Sequence, residues 1–334
     1  MTDLRTHYFS ISDSTQVGES RRAGAQLAEE IGLDENAAGK VAILVTELAN
    51  NLHKHAREGS LLLRTYHEQG VGIEVLATDK GPGMTDVEKC FQDGYSTSGT
   101  AGTGLGSIVR LADAWDVYSM FGVGTTLMAR IGTKKDHRKT KLEFGSVCVP
   151  VKGEKLCGDS WAHAAHLAHE RVMVVDGLGH GPHAAEAADE ATGIFAASNL
   201  ASLPELMQAI HNALRKTRGA AVAIAELDFA HGVVRYVGVG NISATILNGV
   251  TTRSLVSQNG TVGHEVRKIQ EFQYPWPEGS TLVMNSDGLV SKWDVSKYPG
   301  LTHRHPGLLA GVLWRDFTRG RDDATVVAVR ERKG

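Results

Sequence analysis

Residues 79–106 read DKGPGMTDVEKCFQDGYSTSGTAGTGLG, and this stretch decides the fold of the first half of the chain. It opens on Asp79, which ends the apolar run IEVLAT, and turns through an Asp-x-Gly-x-Gly pattern that contains Gly81 and Gly83. The stretch closes on a second glycine cluster, before a helix expected to begin near Ser107: Gly102, Gly104 and Gly106. Glycine permits sharp turns, and bared N–H groups at a helix N-terminus bind anions. The order of these parts indicates a nucleotide pocket that is neither a P-loop nor a Rossmann turn.

A polar helix face lies upstream, in VTELANNLHKHA at residues 45–56. Glu47, Asn51 and His55 are spaced i, i+4, i+8 and therefore share one face of the helix. An amide and a carboxylate one turn apart suit Mg²⁺ with bound phosphates, because a hard cation takes oxygen ligands. Asp79, a carboxylate at a strand end, can accept a hydrogen bond from the exocyclic amine of adenine. We expect His53 and His55 to be structural or solvent-facing.

The residues around these motifs alternate between helical and strand patterns. Apolar residues recur at helical spacing in SRRAGAQLAEEIGL, at residues 20–33, and in AAGKVAILVTELANNLHKHA, at residues 37–56. SLLLRTYHEQGVGIEVLATD, at residues 60–79, predicts two strands joined at a Gln-Gly turn, and WDVYSMFGVGTTLMARI, at residues 115–131, predicts two more. The first half is therefore expected to be an α+β sandwich, with helices on one face of an antiparallel sheet.

The combination of motifs resembles the GHKL (Bergerat) ATP-binding fold, and within it the short bacterial anti-sigma-factor serine kinases of the RsbW and RsbT type. The resemblance covers about residues 8–132. It implies ATP and Mg²⁺ as cofactors, with Asn51 holding Mg²⁺, Glu47 orienting or deprotonating the attacking hydroxyl as the catalytic group, and Asp79 reading adenine. The pocket would be shaped by five glycines: Gly81, Gly83, Gly102, Gly104 and Gly106.

The same resemblance implies a lid and a direction of phosphoryl transfer. Residues 84–101 would form a short lid over ATP, and Thr125 or Thr126 would lie near the adenine-reading carboxylate. This lid is shorter than that of a typical sensor histidine kinase, and no phosphoacceptor His helix precedes the domain, so transfer to a protein Ser or Thr is expected. Kinases of this group commonly pair through the ATP domain, which implies a homodimer.

The second half has a different composition and a different expected architecture. The basic segment from Gly132, GTKKDHRKTKLEF, has no apolar periodicity and indicates a solvated connector. We expect residues 1–132 to form the ATP-binding serine kinase-like domain, residues 133–141 a basic linker and residues 142–334 a second domain. Short Val-rich runs such as ERVMVVD and ATVVAVRE alternate there with two helical stretches, which predicts two packed sheets with helices outside.

Four aspartates stand at the edges of these Val-rich strands: Asp159, Asp176, Asp287 and Asp322. Each alone could be an ordinary turn residue, as Asp-Gly often is. Four carboxylates that converge at one end of a sheet sandwich would repel one another unless cations were bound, and hard divalent ions accept such ligands. A pair of ions can hold a hydroxide and clamp a phosphoryl group. The pattern therefore predicts a two-metal hydrolytic site.

The spacing and context resemble the metal-dependent type 2C phosphatases, specifically the bacterial SpoIIE and RsbX group, from about residue 142 to the end. The matching segments are GD, VVDGLGHG, GVGN, NSDGL and DDATVV. The resemblance implies that Asp176 and the Gly177 carbonyl bridge two Mn²⁺ or Mg²⁺ ions. The remaining ligands would be Asp159, Asp287 and Asp322; the family pattern favours Asp322 over its neighbour Asp323, although the sequence alone leaves that choice open, as it does the choice of metal.

A rival metal site can be imagined in WAHAAHLAHE, which contains His163, His166 and His169. On a helix the three imidazoles would spread over about 120° of the surface, and on a strand His166 would face away from the other two. Neither arrangement converges as zinc ligands must. We therefore expect no zinc site there.

Composition limits the partners and the compartment. The chain has 334 residues, of which 42% are hydrophobic and 22% charged, and its formal net charge is −3. Such a chain is an ordinary globular protein, best explained as two domains. Its small net charge creates no electrostatic field that would attract nucleic acid or a membrane surface. Three widely spaced cysteines fit a reducing cytoplasm. No targeting segment or long apolar run is evident, so we expect a cytoplasmic protein.

The expected function is that of a bifunctional bacterial partner-switching regulator. A protein serine/threonine kinase and an opposing metal-dependent phosphatase would act on STAS-domain proteins, either anti-sigma-factor antagonists or stressosome scaffolds. These partners are implied by the family resemblance alone. The alternative is a single working phosphatase whose first half only binds ATP or sequesters a regulatory partner; a carboxylate at Glu47 beside the metal speaks against it. A scaffold with degenerate sites would have lost acidic or glycine positions, and all are present.

Overall fold

The computed structural model describes residues 6–68, 70–91, 104–133, 140–165, 169–199, 202–249 and 251–332. The chain divides into two compact units. The first unit holds the described residues of Thr6–Arg138 together with Tyr298–Arg315, and the second unit holds those of Lys139–Lys297 together with Asp316–Gly334.

The first unit is built on one antiparallel sheet of five strands. They are β1 (His7–Ser10), β2 (Ser60–Tyr66), β3 (Val71–Asp79), β4 (Ala114–Met120) and β5 (Gly124–Thr133). Their order across the sheet is β1-β2-β3-β5-β4. The four strands predicted from the alternating sequence runs are confirmed, and β1 is an additional edge strand.

The described residues of the first half form four helices: α1 (Ser14–Glu30), α2 (Glu35–His55), α3 (Val87–Cys90) and α4 (Gly104–Leu111). Asp13 begins α1 through a capping box with Gln16, and the Asp34 carboxylate accepts a hydrogen bond from the Ala37 amide at the start of α2. One face of the sheet packs against the helices through alternate strand residues such as Leu61 and Leu63. The expected α+β sandwich is confirmed.

Where the structure describes the second unit, it shows two five-stranded sheets. The strands are β6 (Leu142–Val149), β7 (Asp159–Ala165), β8 (His169–Gly177), β9 (Ala220–Asp228), β10 (Val233–Val239), β11 (Ser243–Asn248), β12 (Thr251–Ser254), β13 (Phe272–Pro275), β14 (Thr281–Asn285) and β15 (Ala324–Glu331). One sheet has the order β13-β10-β9-β8-β7 and the other β12-β11-β14-β15-β6. The two sheets enclose a core to which Val172 and Val174 of β8 and Leu282 and Met284 of β14 contribute.

Two helices cover the outer face of the first of these sheets: α5 (Pro182–Ala197) and α6 (Leu203–Ala213). Their small and aliphatic residues pack on the residues of β8 that alternate with the inner ones, Met173 and Val175. Alternate residues of β8 therefore face the core between the sheets and the core under the helices. The predicted sandwich of two sheets with helices outside is confirmed.

The last helix, α7 (Pro306–Phe317), lies in the second half of the sequence, yet the segment Tyr298–Arg315 that contains most of it belongs to the first unit. It covers the outer face of the first sheet. A Cβ added to Gly311 would stand 2.8 Å from a methyl of Leu76, and one added to Gly307 would stand 3.5 Å from Met128. The expected second domain, residues 142–334, includes this segment, whose placement the sequence did not indicate.

Further contacts fix both ends of the segment. The Tyr118 hydroxyl donates to the carbonyl of Pro299 at 3.3 Å, and the amide of His305 donates to the Asp116 carboxylate at 2.8 Å. At the other end the rings of Trp314 and Tyr8 meet edge to face, with centroids 5.6 Å apart. The segment therefore crosses the sheet from β4 to β1. None of the helices in the described parts of the chain is long and apolar enough to cross a membrane.

A buried ionic cluster lies on the same outer face of the sheet. Glu74, 1% exposed, accepts hydrogen bonds from Arg64 at 2.7 Å and from Arg130 at 2.6 Å. Arg130 also forms a bidentate pair with Glu68 at 2.9 and 3.0 Å. Burial raises the pKa of Glu74, but the two guanidinium groups outweigh it and lower that pKa to about 2. The cluster is therefore ionised, with its charges paired.

Candidate functional site

Asp79 and Thr125 lie side by side at the end of the first sheet. They are paired in the register of β3 and β5, so their side chains point to the same face, which is the face covered by the helices. The Thr125 hydroxyl is 2.8 Å from the Ser119 hydroxyl, which accepts a hydrogen bond from the Met84 amide at 2.8 Å. Thr126 points to the opposite face. Of the two threonines, Thr125 is the one beside Asp79.

The carboxylate of Asp79 is held by the turn that follows it. Its Oδ1 atom accepts a hydrogen bond from the Gly81 amide at 2.6 Å. A Cβ at Gly81 would stand only 2.7 Å from that oxygen, so glycine is needed for the close approach. Gly83 has φ +71°, and a Cβ there would collide with the backbone of Met120. Partial burial raises the pKa of Asp79, and the Gly81 amide opposes that rise.

Helix α2 brings Glu47 and Asn51 to one face, as the spacing predicts. The Nδ2 atom of Asn51 is buried and has no hydrogen-bond partner within the described ranges. A buried amide without a partner is costly, which fits a polar ligand at this position. His53 and His55 are solvent-exposed, as expected.

The glycine cluster is described only in part. Gly102 lies outside the described residues, as does the predicted lid from residue 92 onward, whereas residues 84–91 contain the single-turn helix α3. The following helix begins at Gly104 rather than near Ser107. Gly104 and Gly106 therefore lie in its first turn, not before it. This boundary was wrong because small residues are tolerated in a first turn, where N–H groups have no intrahelical partner in any case.

The second unit brings the predicted aspartates to one end of its sandwich. Asp159 and Asp176 lie directly opposite each other on β7 and β8. Asp287 follows β14, and Asp322 precedes β15. Strands β14 and β15 are paired neighbours in the second sheet of the sandwich. Gly177 has no room for a side chain, because a Cβ would press on the backbone of Ala184 at the start of α5.

Burial and neighbouring negative charges raise the pKa of the two paired aspartates, Asp159 and Asp176. Burial raises the pKa of Asp176 to about 9, and the charges of Asp159, Asp287 and Asp322 contribute to that rise. Burial likewise raises the pKa of Asp159 to about 7, although the Ser286 hydroxyl, which donates to its Oδ2 atom at 2.6 Å, opposes the rise. Like charges this close cannot all ionise without a counter-cation.

The two neighbouring acids Asp322 and Asp323 have different surroundings. Asp323 is 3% exposed, and its carboxylate accepts hydrogen bonds from the amides of Val151 and Gly158, both at 2.7 Å. Asp322 accepts a hydrogen bond from the amide of Asp323 at 3.0 Å and is more exposed. Asp323 therefore anchors the loop before β7, and Asp322 is the freer of the two to bind a ligand.

Sequence reasoning missed the groups that hold these acids. Asn241, in the quoted GVGN segment, donates from Nδ2 to Asp287 at 2.8 Å, and Ser286 holds Asp159. Both residues lie within segments that match the phosphatase pattern, which was the available signal. In another matching segment, VVDGLGHG, the Nδ1 atom of His180 is 2.8 Å from the Glu154 carboxylate.

The donor set is oxygen only, which suits Mg²⁺ or Mn²⁺. Among the residues that the structure describes, no three acidic, imidazole or thiolate groups converge as ligands of one ion. This arrangement fits ions that take few ligands each from protein and complete their shells with water. The three histidines of the rival zinc site are in different places. His163 lies on β7 and His169 on β8, and the His163 imidazole is 2.6 Å from the Glu170 carboxylate. His166 is outside the described residues.

Comparisons with known proteins match the two halves of the chain to two different families. Residues 11–131 match the family described as "Histidine kinase-like ATPase domain", and residues 168–332 match "Stage II sporulation protein E (SpoIIE)". The serine/threonine-protein kinase RsbT of Bacillus subtilis (strain 168) is 33% identical over 111 residues, which are 33% of this chain and 84% of RsbT.

Two solved structures and one further relative also resemble part of the chain. The phosphoserine phosphatase RsbX of the same strain is 24% identical over 140 residues, 41% of this chain and 70% of RsbX. A solved RsbX structure in complex with magnesium has a TM-score of 0.51 at 20% identity, covering 57% of this chain and 96% of that one. A solved structure from work on the bacterial stressosome, "a modular system that has been adapted to control secondary messenger signaling", has a TM-score of 0.54 at 28% identity, covering 57% of this chain and 100% of that one.

The two matches follow each other along the chain, separated by residues 132–167, and the described sheets and helices of each half have the corresponding fold. A kinase-like ATPase domain joined to a type 2C phosphatase domain fits a partner-switching regulator. The chain therefore belongs to the RsbT-like family of histidine kinase-like ATPase domains through its first half and carries a SpoIIE-type phosphatase domain in its second.

Proposed function

We propose that the protein is a bifunctional regulator, with an ATP-dependent protein serine/threonine kinase in its first half and a metal-dependent phosphoserine/phosphothreonine phosphatase in its second. The observation that carries the phosphatase assignment is the placement of the acids: Asp159 and Asp176 are paired on β7 and β8, Asp287 follows β14 and Asp322 precedes the neighbouring strand β15. A site built this way is ready for divalent cations. The buried, unpartnered Nδ2 atom of Asn51 supports a ligand in the first half.

In the kinase half, the chain's own groups would bind and orient the nucleotide. Asp79, fixed by the Gly81 amide, would accept a hydrogen bond from the adenine amine, and Thr125 stands beside it. Asn51 would hold Mg²⁺ with the ATP phosphates, and the N-terminus of α4, with Gly104 and Gly106, would face the phosphates. Glu47, one turn from Asn51, would accept the proton of the attacking hydroxyl.

In the phosphatase half, Asp176, the Gly177 carbonyl, Asp159, Asp287 and Asp322 would hold two Mn²⁺ or Mg²⁺ ions. When bound, such ions supply an activated water and neutralise phosphate charge. The surrounding residues orient the acids: Asn241 fixes Asp287, and Ser286 fixes Asp159. Asp323 is engaged by two loop amides, which supports Asp322 as the ligand.

The partners follow from the relatives. RsbT and RsbX are named as a protein kinase and a phosphoserine phosphatase, and one similar structure comes from work on the bacterial stressosome. We infer STAS-domain phosphoproteins as the shared substrate class, either anti-sigma antagonists or stressosome scaffolds. A homodimer through the ATP-binding domain remains a prediction, and its surface would have to avoid the outer sheet face, which Tyr298–Arg315 covers.

A second candidate is a single working phosphatase that ATP binding in the first half regulates. The observation that favours it is that α7, encoded inside the phosphatase half, belongs mostly to the ATP-binding unit. Under this alternative, Glu47 is not catalytic, and its replacement changes no phosphorylation.

The test is to incubate purified protein with γ-labelled ATP, Mg²⁺, Mn²⁺ and candidate STAS proteins from the same genome. Wild type should label a Ser or Thr, Asp176→Asn should accumulate more label, and Glu47→Gln should lose transfer while still binding ATP. Glu19→Gln, at an exposed position on α1, is the matched control and should behave as wild type. Unchanged labelling by Glu47→Gln would rule out its role. No label from wild type, with intact hydrolysis of p-nitrophenyl phosphate, would favour the regulated phosphatase.

A further inference from the structure

Arg218 lies beside the loop that follows Asp176, because β8 and β9 run antiparallel. Within these strands Asp176 is paired with Ala221. The pairing continues beyond the strand ends, where the Leu178 amide donates to the Gly219 carbonyl at 3.0 Å. One residue further along, the antiparallel register places Arg218 next to the backbone of the loop. The sheet therefore brings Arg218 to the same end of the sandwich as Asp176.

The Arg218 guanidinium lies over Gly179, and Gly179 in turn lies close to the candidate metal ligands. A Cβ added to Gly179 would stand 3.1 Å from the Nη1 atom of Arg218. A Cβ added to Gly158 would stand 3.5 Å from the Gly179 carbonyl oxygen, and Gly158 directly precedes Asp159. The guanidinium is therefore at the rim of the group of acids, separated from Asp159 by the backbone of Gly179 and Gly158.

The backbone of Arg218 is held in place, whereas its side chain has no charged partner. The Nε2 atom of His264 is 2.8 Å from the Arg218 carbonyl oxygen. The guanidinium is exposed to solvent, and in the parts of the chain that the structure describes no carboxylate pairs with it. His180, which lies in the neighbouring loop, differs because Glu154 already occupies its imidazole. Arg218 therefore offers a positioned cation to an external anion.

A phosphate monoester has the chemistry that such a cation recognises. The phosphate dianion of a phosphorylated protein would approach a site made of carboxylates, which repel it unless cations offset their charge. A guanidinium group presents its N–H donors in a planar fork that matches two phosphate oxygens. Charge-assisted pairs of this kind are stronger than neutral hydrogen bonds. The position of Arg218 at the rim of the acids therefore suits the phosphoryl group of the substrate.

We propose that Arg218 is a substrate-binding residue, whose guanidinium binds phosphoryl oxygens of a phosphoserine or phosphothreonine, a role that rests on the proposed phosphatase function. The contact persists through hydrolysis, because these oxygens stay on phosphorus while the bond to the side-chain oxygen breaks. A contact that is equal in the bound substrate and in the transition state tightens binding and leaves kcat nearly unchanged. Leu178, 55% exposed in the same loop, adds apolar surface for a neighbouring residue of the polypeptide.

The experiment uses the full chain with saturating Mg²⁺ and measures kcat and KM for p-nitrophenyl phosphate, together with the inhibition constant of inorganic phosphate. Arg218→Met keeps the aliphatic stem and loses the guanidinium. Its KM and its inhibition constant should both rise about tenfold, which corresponds to one hydrogen bond to a charged group. The kcat should stay within about twofold of wild type. The half-saturating Mg²⁺ concentration should not change, because Arg218 is not among the proposed metal ligands.

Arg215→Met is the matched control. Arg215 is exposed on the 3₁₀ turn Leu214–Lys216, three residues before Arg218, so its replacement removes the same charge and should keep the wild-type KM. Arg218→Lys keeps the charge but loses the planar fork, and its KM should rise about threefold. If Arg218→Met does not fold, wild type alone decides: inorganic phosphate with Mg²⁺ should slow phenylglyoxal modification of Arg218 and not that of Arg215, read by peptide mass spectrometry.

The outcomes separate the role of Arg218 from the phosphatase function. Wild-type hydrolysis with unchanged KM and phosphate inhibition in Arg218→Met, or without protection from phenylglyoxal, overturns the role and leaves the phosphatase function standing. An equal rise of KM in Arg215→Met shows a general effect of charge and also overturns it. Weaker Mg²⁺ binding in Arg218→Met overturns it too, because the side chain would then support the loop after Asp176. Absence of hydrolysis by wild type with either metal removes the phosphatase function and the role with it.

Discussion

Replacing Asp176 by Asn should stabilise the metal-free protein while abolishing its metal-dependent phosphatase activity. Without metal, burial and the charges of Asp159, Asp287 and Asp322 raise the pKa of Asp176 to about 9, against an ordinary value of 3.8. The carboxyl must therefore take up a proton when the chain folds at neutral pH. Asparagine has nearly the same shape and is neutral at all pH values, so this requirement disappears in the variant.

The size of the effect follows from the linkage between protonation and folding. Each pH unit above the ordinary pKa costs about 1.4 kcal/mol for a carboxyl that is neutral only in the folded state. At pH 7, about three units above 3.8, the cost approaches about 4 kcal/mol, part of which is shared with Asp159. We expect Asp176→Asn to raise the free energy of unfolding by about 2–4 kcal/mol in the absence of metal.

The raised pKa of Asp176 means that the stability of the metal-free protein falls as the pH rises. The contribution of this group to stability is fully present below about pH 4 and is lost as pH rises toward about 9, the folded-state pKa. Urea denaturation in EDTA should therefore show wild type losing stability between pH 5 and 8, and Asp176→Asn losing less. With Mn²⁺ at about 100 times its Kd, wild type should gain about 2.7 kcal/mol and the variant little.

The control for this experiment is Asp294→Asn, at an exposed carboxylate outside the cluster, which should not change the pH slope. If metal-free Asp176→Asn is no more stable than wild type, or if wild-type stability does not depend on pH in this range, the carboxylates do not repel one another as the structure indicates.

Three other substitutions test separate parts of the structure. Glu74→Gln leaves Arg64 and Arg130 without their shared anion and should lower the free energy of unfolding of the first unit by about 3–5 kcal/mol, measured in urea. The pKa of Glu74 is lowered to about 2, so the stabilisation by this carboxylate in wild type should be complete above about pH 4.5. It should disappear only as the pH falls toward 2. Asp323→Ala removes the acceptor of two loop amides and should cost about 2–3 kcal/mol, with a weaker metal-dependent hydrolysis, whereas an equally active and stable variant would contradict its anchoring role. Gly83→Ala should destabilise by about 1–3 kcal/mol, read from thermal unfolding, because φ is +71° and a Cβ has no space.

The geometry of the candidate site in the first unit could largely be predicted because its determinants are local. The Asp-x-Gly-x-Gly turn needs glycine for reasons contained in a few residues, and the i, i+4 spacing of Glu47 and Asn51 places them on one face of any helix. The choice between Thr125 and Thr126 was not local. It depends on the register of β5 against β3, which places one threonine beside Asp79 and the other on the opposite face.

In the second unit, the Val-rich strands were recognisable, but β7, β11, β12 and β13 were not identified. All four residues of β12 are exposed, so no apolar alternation marks that strand. Asp322 and Asp323 are identical residues in adjacent positions, and only the approach of two loop amides separates their roles. Helix α7, PGLLAGVLWRDF, was not among the two helical stretches predicted for the second half, and its place on the first sheet was not predicted either.

That helix has a consequence for how the protein is made. The sheet of the first unit is synthesised early, but the segment that covers Leu76 and Met128 follows more than about 150 residues later, which at ~5–20 residues per second is a delay of about 10–30 s on the ribosome. During that interval an apolar sheet face is exposed on the nascent chain. A fragment that ends in the basic linker would keep this face exposed permanently, so its aggregation would reflect an incomplete domain and not a defect of the first 132 residues themselves.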